Sequence, residues 1–220
     1  MTTHASHIRF YEERYARPPG AMRDYRLYLD LLGARAPGRV LDVGCGEGFF
    51  LAEANRAGME VVGVEIVEQA IRLARGRVPH ASLVVAAGEA LPFPDASMDY
   101  VTCLGTLEHF ADPSAGAREV ARVLRDDGWA LIVVPNRKFV GWIARGRRGT
   151  EQREVGELLL SRDEWIDLLG KAGLHVHNVT REPWHTKPFP SQLKRIAARA
   201  AWHLLPLRWT YQFAFTCERA

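Results

Sequence analysis

Three cysteines, Cys45, Cys103 and Cys217, are too few and too far apart for a disulfide framework or a Cys-x-x-Cys metal site. No apolar run approaches the length that crosses a bilayer. The opening stretch MTTHASHIRFYEERY has no long apolar core of the kind a secretory leader carries. A net charge of +3 is too small to point to nucleic acid, and no basic-aromatic binding module is recognisable. These absences lead us to expect a cytoplasmic protein with no nucleic-acid substrate and no bound metal. One absence is local. From Pro183 to Cys217 there is no acidic residue, whereas Lys187, Lys194, Arg195, Arg199 and Arg208 fall in that stretch.

What is present is an ordinary globular composition, 47% hydrophobic and 25% charged, over 220 residues. That suffices for one α/β domain with a substantial core. Residues 1–36 read as helical and are broken at Arg17–Gly20 by RPPG. From Arg39 the pattern alternates. Strands are expected at Arg39–Val43, Glu60–Val64, Ser82–Ala86, Met98–Leu104 and Trp129–Val134. Helices are expected at Gly48–Arg56, Glu68–Arg77 and Ala115–Leu124. Such alternation argues for a parallel sheet with helices on both faces.

After Asn136 the rhythm stops. Residues 137–160 read as an insertion or cover. Ser161 with Glu164 three positions on is a capping box, and Gly173 ends the helix it starts. Leu174–Thr180 alternates like a strand, and Tyr211–Cys217 fits a last strand that pairs antiparallel. Within the basic segment 183–208, Leu193, Ile196, Ala197, Ala200 and Leu204 form an apolar stripe at helical spacing. Two readings of it stand: a helix docked on the sheet with a solvated basic face, or peripheral membrane contact through 191–205.

The chemistry-bearing stretch is VLDVGCGEG, a strand that ends in Asp42-x-Gly44-x-Gly46-x-Gly48 and turns into a helix. Glycines there let the backbone approach a ligand closely, and helix-start N–H groups can bind its polar groups. The next strand ends in Glu65, twenty-one residues after Gly44, where a carboxylate can hold both hydroxyls of a ribose. An adenosine-containing ligand follows. The dinucleotide spacing G-x-G-x-x-G fails in both registers, because its last position falls on Phe49 or Leu51. A phosphate loop fails as well, since no Gly-Lys-Ser/Thr follows.

Beyond that loop, VVGVEI, GEALPFPDASMDYV, LEHFADP and REVARVLRDDGWALIVVPN follow in order. Together these segments resemble the class I S-adenosylmethionine-dependent methyltransferases, and within them the branch that includes ubiquinone and menaquinone biosynthesis methylases. The resemblance covers residues 40–136. It implies a Rossmann-like, doubly wound, mostly parallel seven-stranded sheet (37–220) beneath an N-terminal helical lid (1–36). It further implies S-adenosyl-L-methionine as cofactor. Gly44, Cys45 and Gly46 would contact its methionine part, Glu65 and Ile66 its ribose and adenine edge, and Leu104 the region near the sulfonium. The family's aspartate before Gly88-Glu89 is Ala87 here, so adenine recognition would fall to Gly88 and Glu89. Asp42 either orients the loop or reaches the cofactor's amino group.

The implied reaction is methyl transfer to oxygen or nitrogen of a small organic acceptor, which could be lipid-linked. His109 is the candidate base, and Tyr15, with Tyr11, would sit on the lid. His185, in PWHTKPF, could face the acceptor. Two alternatives stand beside this reading: a nucleotide-cofactor oxidoreductase on the same fold, and a catalytically inactive cofactor-binding partner subunit. A monomer or a homodimer is compatible with all of them.

Overall fold

The computed structural model describes residues 4–15, 24–139, 141–142, 156–182 and 206–220. RPPG, His185, the stripe at 191–205 and most of the basic segment 183–208 lie outside the described residues, as does much of the expected 137–160 insertion.

Seven strands form one sheet: β1 (Arg39–Val43), β2 (Glu60–Glu65), β3 (Ser82–Val85), β4 (Met98–Leu104), β5 (Leu124–Pro135), β6 (Leu174–Arg181) and β7 (Gln212–Arg219). Their spatial order is β3-β2-β1-β4-β5-β7-β6. The first five pair in parallel, and β7 runs antiparallel to both β5 and β6. The sheet is thus mixed, with the late antiparallel pairing expected from the sequence.

Six helices are described: α1 (His4–Tyr15), α2 (Arg26–Leu32), α3 (Phe49–Arg56), α4 (Glu68–Arg77), α5 (Pro113–Val123) and α6 (Arg162–Lys171). They cover both faces of the sheet. Along β5, Ala130, Ile132 and Val134 pack with α5 and α6, whereas Leu131 and Val133 pack with α2, α3 and α4. Successive strand side chains point to opposite faces, so a strand covered on both reads as an unbroken apolar run. Trp165 of α6 is fully buried and donates its indole N–H to the Pro135 carbonyl at 3.1 Å.

Local chemistry explains the helix starts. Asp112 accepts a hydrogen bond from the Ala115 N–H at 3.0 Å, with Pro113 in the first helical position. Glu164 accepts from the backbone N–H and hydroxyl of Ser161 at 2.8 and 2.6 Å, which holds its carboxyl down at about 2.

Two differences from expectation matter. β5 begins at Leu124, directly after α5, and its register slips between Met98 and Tyr100 of β4. The exposed Arg125, Asp126 and Asp127 bulge there, which is why that stretch reads as a turn. The two helices expected in the 1–36 lid also differ in kind. Tyr28, Leu29 and Leu32 of α2 are buried in the sheet's own core, so only α1 faces the crevice described next.

Candidate functional site

β1 and β4 are neighbours whose following helices, α3 and α5, pack on opposite faces. At such a switch point the loops diverge and leave a crevice at the carboxyl ends of the strands. The turn from 44 to 48 forms one wall, and the 105–109 turn the other.

The glycine turn is tied down from within. Gly44 and Cys45 donate their N–H groups to the Val64 carbonyl at 2.8 and 2.9 Å. Gly44 has φ +77°, and a Cβ there would lie 2.3 Å from Thr106 Cγ2, so the two walls touch at this residue. Gly46 has φ +50°, and its N–H donates to Glu65 Oε2 at 3.1 Å. The other oxygen of Glu65 accepts from the Val67 N–H at 3.0 Å. Burial pushes the Glu65 carboxyl up, and these backbone donors hold it back. Ile66 is half-buried beside it.

Asp42 ends in the floor of the crevice. It is 4% exposed and accepts a hydrogen bond from Thr102 Oγ1 at 2.7 Å. Burial raises its carboxyl to about 7, against the Thr102 hydrogen bond and with a contribution from the charge of Glu65. Two carboxyl groups are therefore held together with little water. A cationic ligand would relieve that repulsion.

α1 closes over both walls. A Cβ on Gly46 would stand 3.0 Å from the Tyr15 hydroxyl, and the Tyr11 ring lies 6.2 Å, edge-on, from the His109 ring. Tyr11 and Tyr15 are one helical turn apart and share a face.

The second wall carries His109, 6% exposed on a 3-10 turn over Leu107–His109. Its Nδ1 lies 3.3 Å from the Gly156 carbonyl, and its Nε2 lies 3.9 Å from Glu108 Oε1. The Leu158 N–H donates to the Glu108 carbonyl at 2.8 Å, which brings Glu157 alongside.

Gly88 and Glu89 also make contacts within the frame. Gly88 is buried, and a Cβ there would meet Phe110 at 2.2 Å, so ring packing already requires glycine. Glu89 accepts from the Ala111 N–H at 2.8 Å and ties the GEALPFPD segment to the turn after β4. Arg122 fixes the same segment through the carbonyls of Phe93 and Leu91, at 2.8 and 3.0 Å. Leu104 closes β4, half-buried at the crevice. Sequence reasoning did not single out Thr102, Thr106, Glu157 or Gln212, because nothing in their local spacing marks them.

Residues 41–132 match the family model described as a methyltransferase domain. A probable S-adenosylmethionine-dependent methyltransferase of Mycobacterium tuberculosis is 35% identical over 116 residues, covering 52% of this chain and 42% of the relative. A ubiquinone biosynthesis O-methyltransferase of Albidiferax ferrireducens is 32% identical over 167 residues, 66% of each chain. The chain spans about half the length of the first curated relatives it matches. In fold it is similar to an S-adenosylmethionine-dependent methyltransferase from Mesorhizobium loti, with a TM-score of 0.69 at 18% identity, covering 88% of this chain and 96% of that one. Residues 41–132 thus match a methyltransferase domain, and the relatives that share this region include S-adenosylmethionine-dependent methyltransferases.

Proposed function

We propose that this protein transfers the methyl group of S-adenosyl-L-methionine to an oxygen or nitrogen of a small organic acceptor in the cytoplasm. The observation that carries this reading is the convergence of three groups at one crevice: the Gly44–Gly46 turn, the Glu65 carboxylate and Tyr15 of α1. The chain fits the cofactor in space and in charge. A side chain at Gly46 would narrow the gap beneath Tyr15, and the buried pair Asp42 and Glu65 suits a ligand carrying an ammonium and a sulfonium.

When bound, the cofactor supplies a methyl group already activated by a positive sulfur, with a neutral thioether as leaving group. The chain's work is then positioning and proton handling. Gly44, Cys45 and Gly46 line the methionine part, Glu65 and Ile66 the ribose, and Gly88 and Glu89 the adenine side. Leu104 borders the sulfonium, and Tyr15 closes the crevice against water. His109 is on the acceptor side, where an imidazole holding its proton on Nδ1 can take the acceptor's proton at Nε2. His109 would in this way leave a lone pair on the acceptor free for the methyl carbon, and the cofactor would depart as the neutral thioether. A ubiquinone-type hydroxyl is one acceptor class in keeping with the Albidiferax relative. A lipid-linked acceptor would also suit the basic segment at 183–208.

Calorimetric titration with S-adenosylhomocysteine tests the reading, with Glu65→Gln beside the native chain. Micromolar binding that weakens about 10- to 100-fold in the variant is expected, from the loss of a charged acceptor for the ribose hydroxyls. Binding of a nicotinamide cofactor instead would favour the oxidoreductase alternative. Tight binding without turnover on a panel of phenols, hydroxyquinones and amines would favour the inactive subunit.

A further inference from the structure

Gln212 opens β7 at the carboxyl end of the sheet, where it pairs with Pro135 at the end of β5. Its side chain is 5% exposed, and its Oε1 has no hydrogen-bond partner among the described residues. A buried amide oxygen without a donor is costly, and native folds keep few of them.

The backbone gives this side chain a fixed place. The Gln212 carbonyl accepts from the Glu182 N–H at 3.2 Å, and the Tyr211 carbonyl accepts from the Asn136 N–H at 2.9 Å. Asn136 Nδ2 also donates to the carbonyls of Arg208 and Thr210, at 2.9 and 2.8 Å. The chain entering β7 is thereby held on both sides, as a binding side chain requires.

The amide faces the crevice at Gly105. A Cβ on Gly105 would stand 3.8 Å from Gln212 Nε2 and 3.8 Å from Glu108 Oε1, in ordinary contact with both. There is room above this residue, in contrast to Gly44, where a Cβ would meet Thr106 at 2.3 Å. Leu104, Gly105 and Thr106 are all half-buried. The two ends of an amide differ in bonding and hardly in shape, so a half-turn of the group brings Oε1 to the same space.

We infer that Gln212 is a binding residue for the methyl acceptor. Its amide oxygen accepts a hydrogen bond from an O–H or N–H of the acceptor other than the group that is methylated. This rests on the function proposed above and narrows it to acceptors that carry a second hydrogen-bond donor. An acceptor without that donor leaves Oε1 buried and unpaired, and such a site discriminates more sharply than an apolar pocket. The bond orients the acceptor over Gly105, one residue from Leu104 on the sulfonium side and one from Thr106 on the glycine turn.

Two measurements on the full chain test this. Urea unfolding without ligand compares the native chain with Gln212→Met, which keeps the side chain's length and removes the amide. The variant should be at least as stable as the native chain, because an unpaired polar group is exchanged for an apolar one. A clear loss of stability would make the amide part of the frame and overturn the inference.

The second measurement follows probe binding by ligand-observed NMR with S-adenosylhomocysteine saturating. The probes come in matched pairs: 2-(hydroxymethyl)phenol with 2-ethylphenol, and 2-aminophenol with 2-methylphenol. In the native chain the donor-bearing member should bind about 10-fold more tightly or better. The preference should vanish in Gln212→Met and persist in Gln212→Glu, which keeps an oxygen at the same place. An equal preference in native and Gln212→Met chains, or no probe binding to the native complex, overturns the inference and leaves the proposed function standing. Failure of S-adenosylhomocysteine itself to bind the native chain would remove the proposed function, and this inference with it.

Discussion

Asp42 Oδ1 accepts a 2.7 Å hydrogen bond from Thr102 Oγ1 across the β1–β4 pair, and that hydroxyl is the polar partner of a carboxyl raised to about 7. The groups facing it, Glu65 and Cys45, supply no positive charge.

A pH dependence follows. Because the folded-state value lies above the ordinary 3.8, the native chain holds a proton that the unfolded chain releases. The resulting stabilisation is complete below about pH 4 and is lost as pH rises through about 7, a change of up to about 4 kcal/mol. Urea unfolding at pH 5 to 8 should show a steeper fall for the native chain than for Asp42→Asn, in which the Thr102 hydroxyl keeps an acceptor. Parallel curves would mean that Asp42 is ionised throughout.

The contact between Gly44 and Thr106 gives a second prediction. Alanine at 44 meets a left-handed backbone, about 1–2 kcal/mol, and a Cβ 2.3 Å from Thr106 Cγ2. Gly44→Ala should cost more than about 3 kcal/mol. Adding Thr106→Gly should restore the steric part and leave the backbone part. A double-mutant cycle by urea unfolding measures the split, and strict additivity would deny the contact.

The placement of α1 gives a third. Tyr15→Ala should weaken S-adenosylhomocysteine about 10-fold, mainly through faster dissociation, while the urea midpoint stays near that of the native chain. Tyr15 is half-buried and reaches across Gly46 rather than into the sheet's core. Stopped-flow dissociation rates check this, and unchanged rates would remove Tyr15 from the site.

The glycine-turn wall of the candidate site was legible because its information is local. Strand, glycine turn, helix and the carboxylate ending β2 follow one another in the chain, and β1 and β4 fall on the residues that periodicity marks. The surroundings of His109 were not. Glu157 reaches His109 through the Leu158–Glu108 backbone bond, and Gln212 reaches Gly105 because β7 lies beside β5. Neither approach leaves a trace in residue spacing. Gly88 shows the converse. It reads as a ligand contact, yet the Phe110 ring by itself forbids a side chain there.

The position of β7 has a consequence for the order of assembly. β6 has β7 as its sheet neighbour, and β7 is made after it. On the ribosome, β1 to β5 can pair as they emerge, and the glycine turn and Glu65 come together with them. β6 waits for a strand not yet translated, and Gln212 arrives with that strand. The nascent chain thus shapes the glycine turn and the 105–109 turn first, so a stalled chain lacking β7 would have both walls of the crevice without Gln212 beside Gly105.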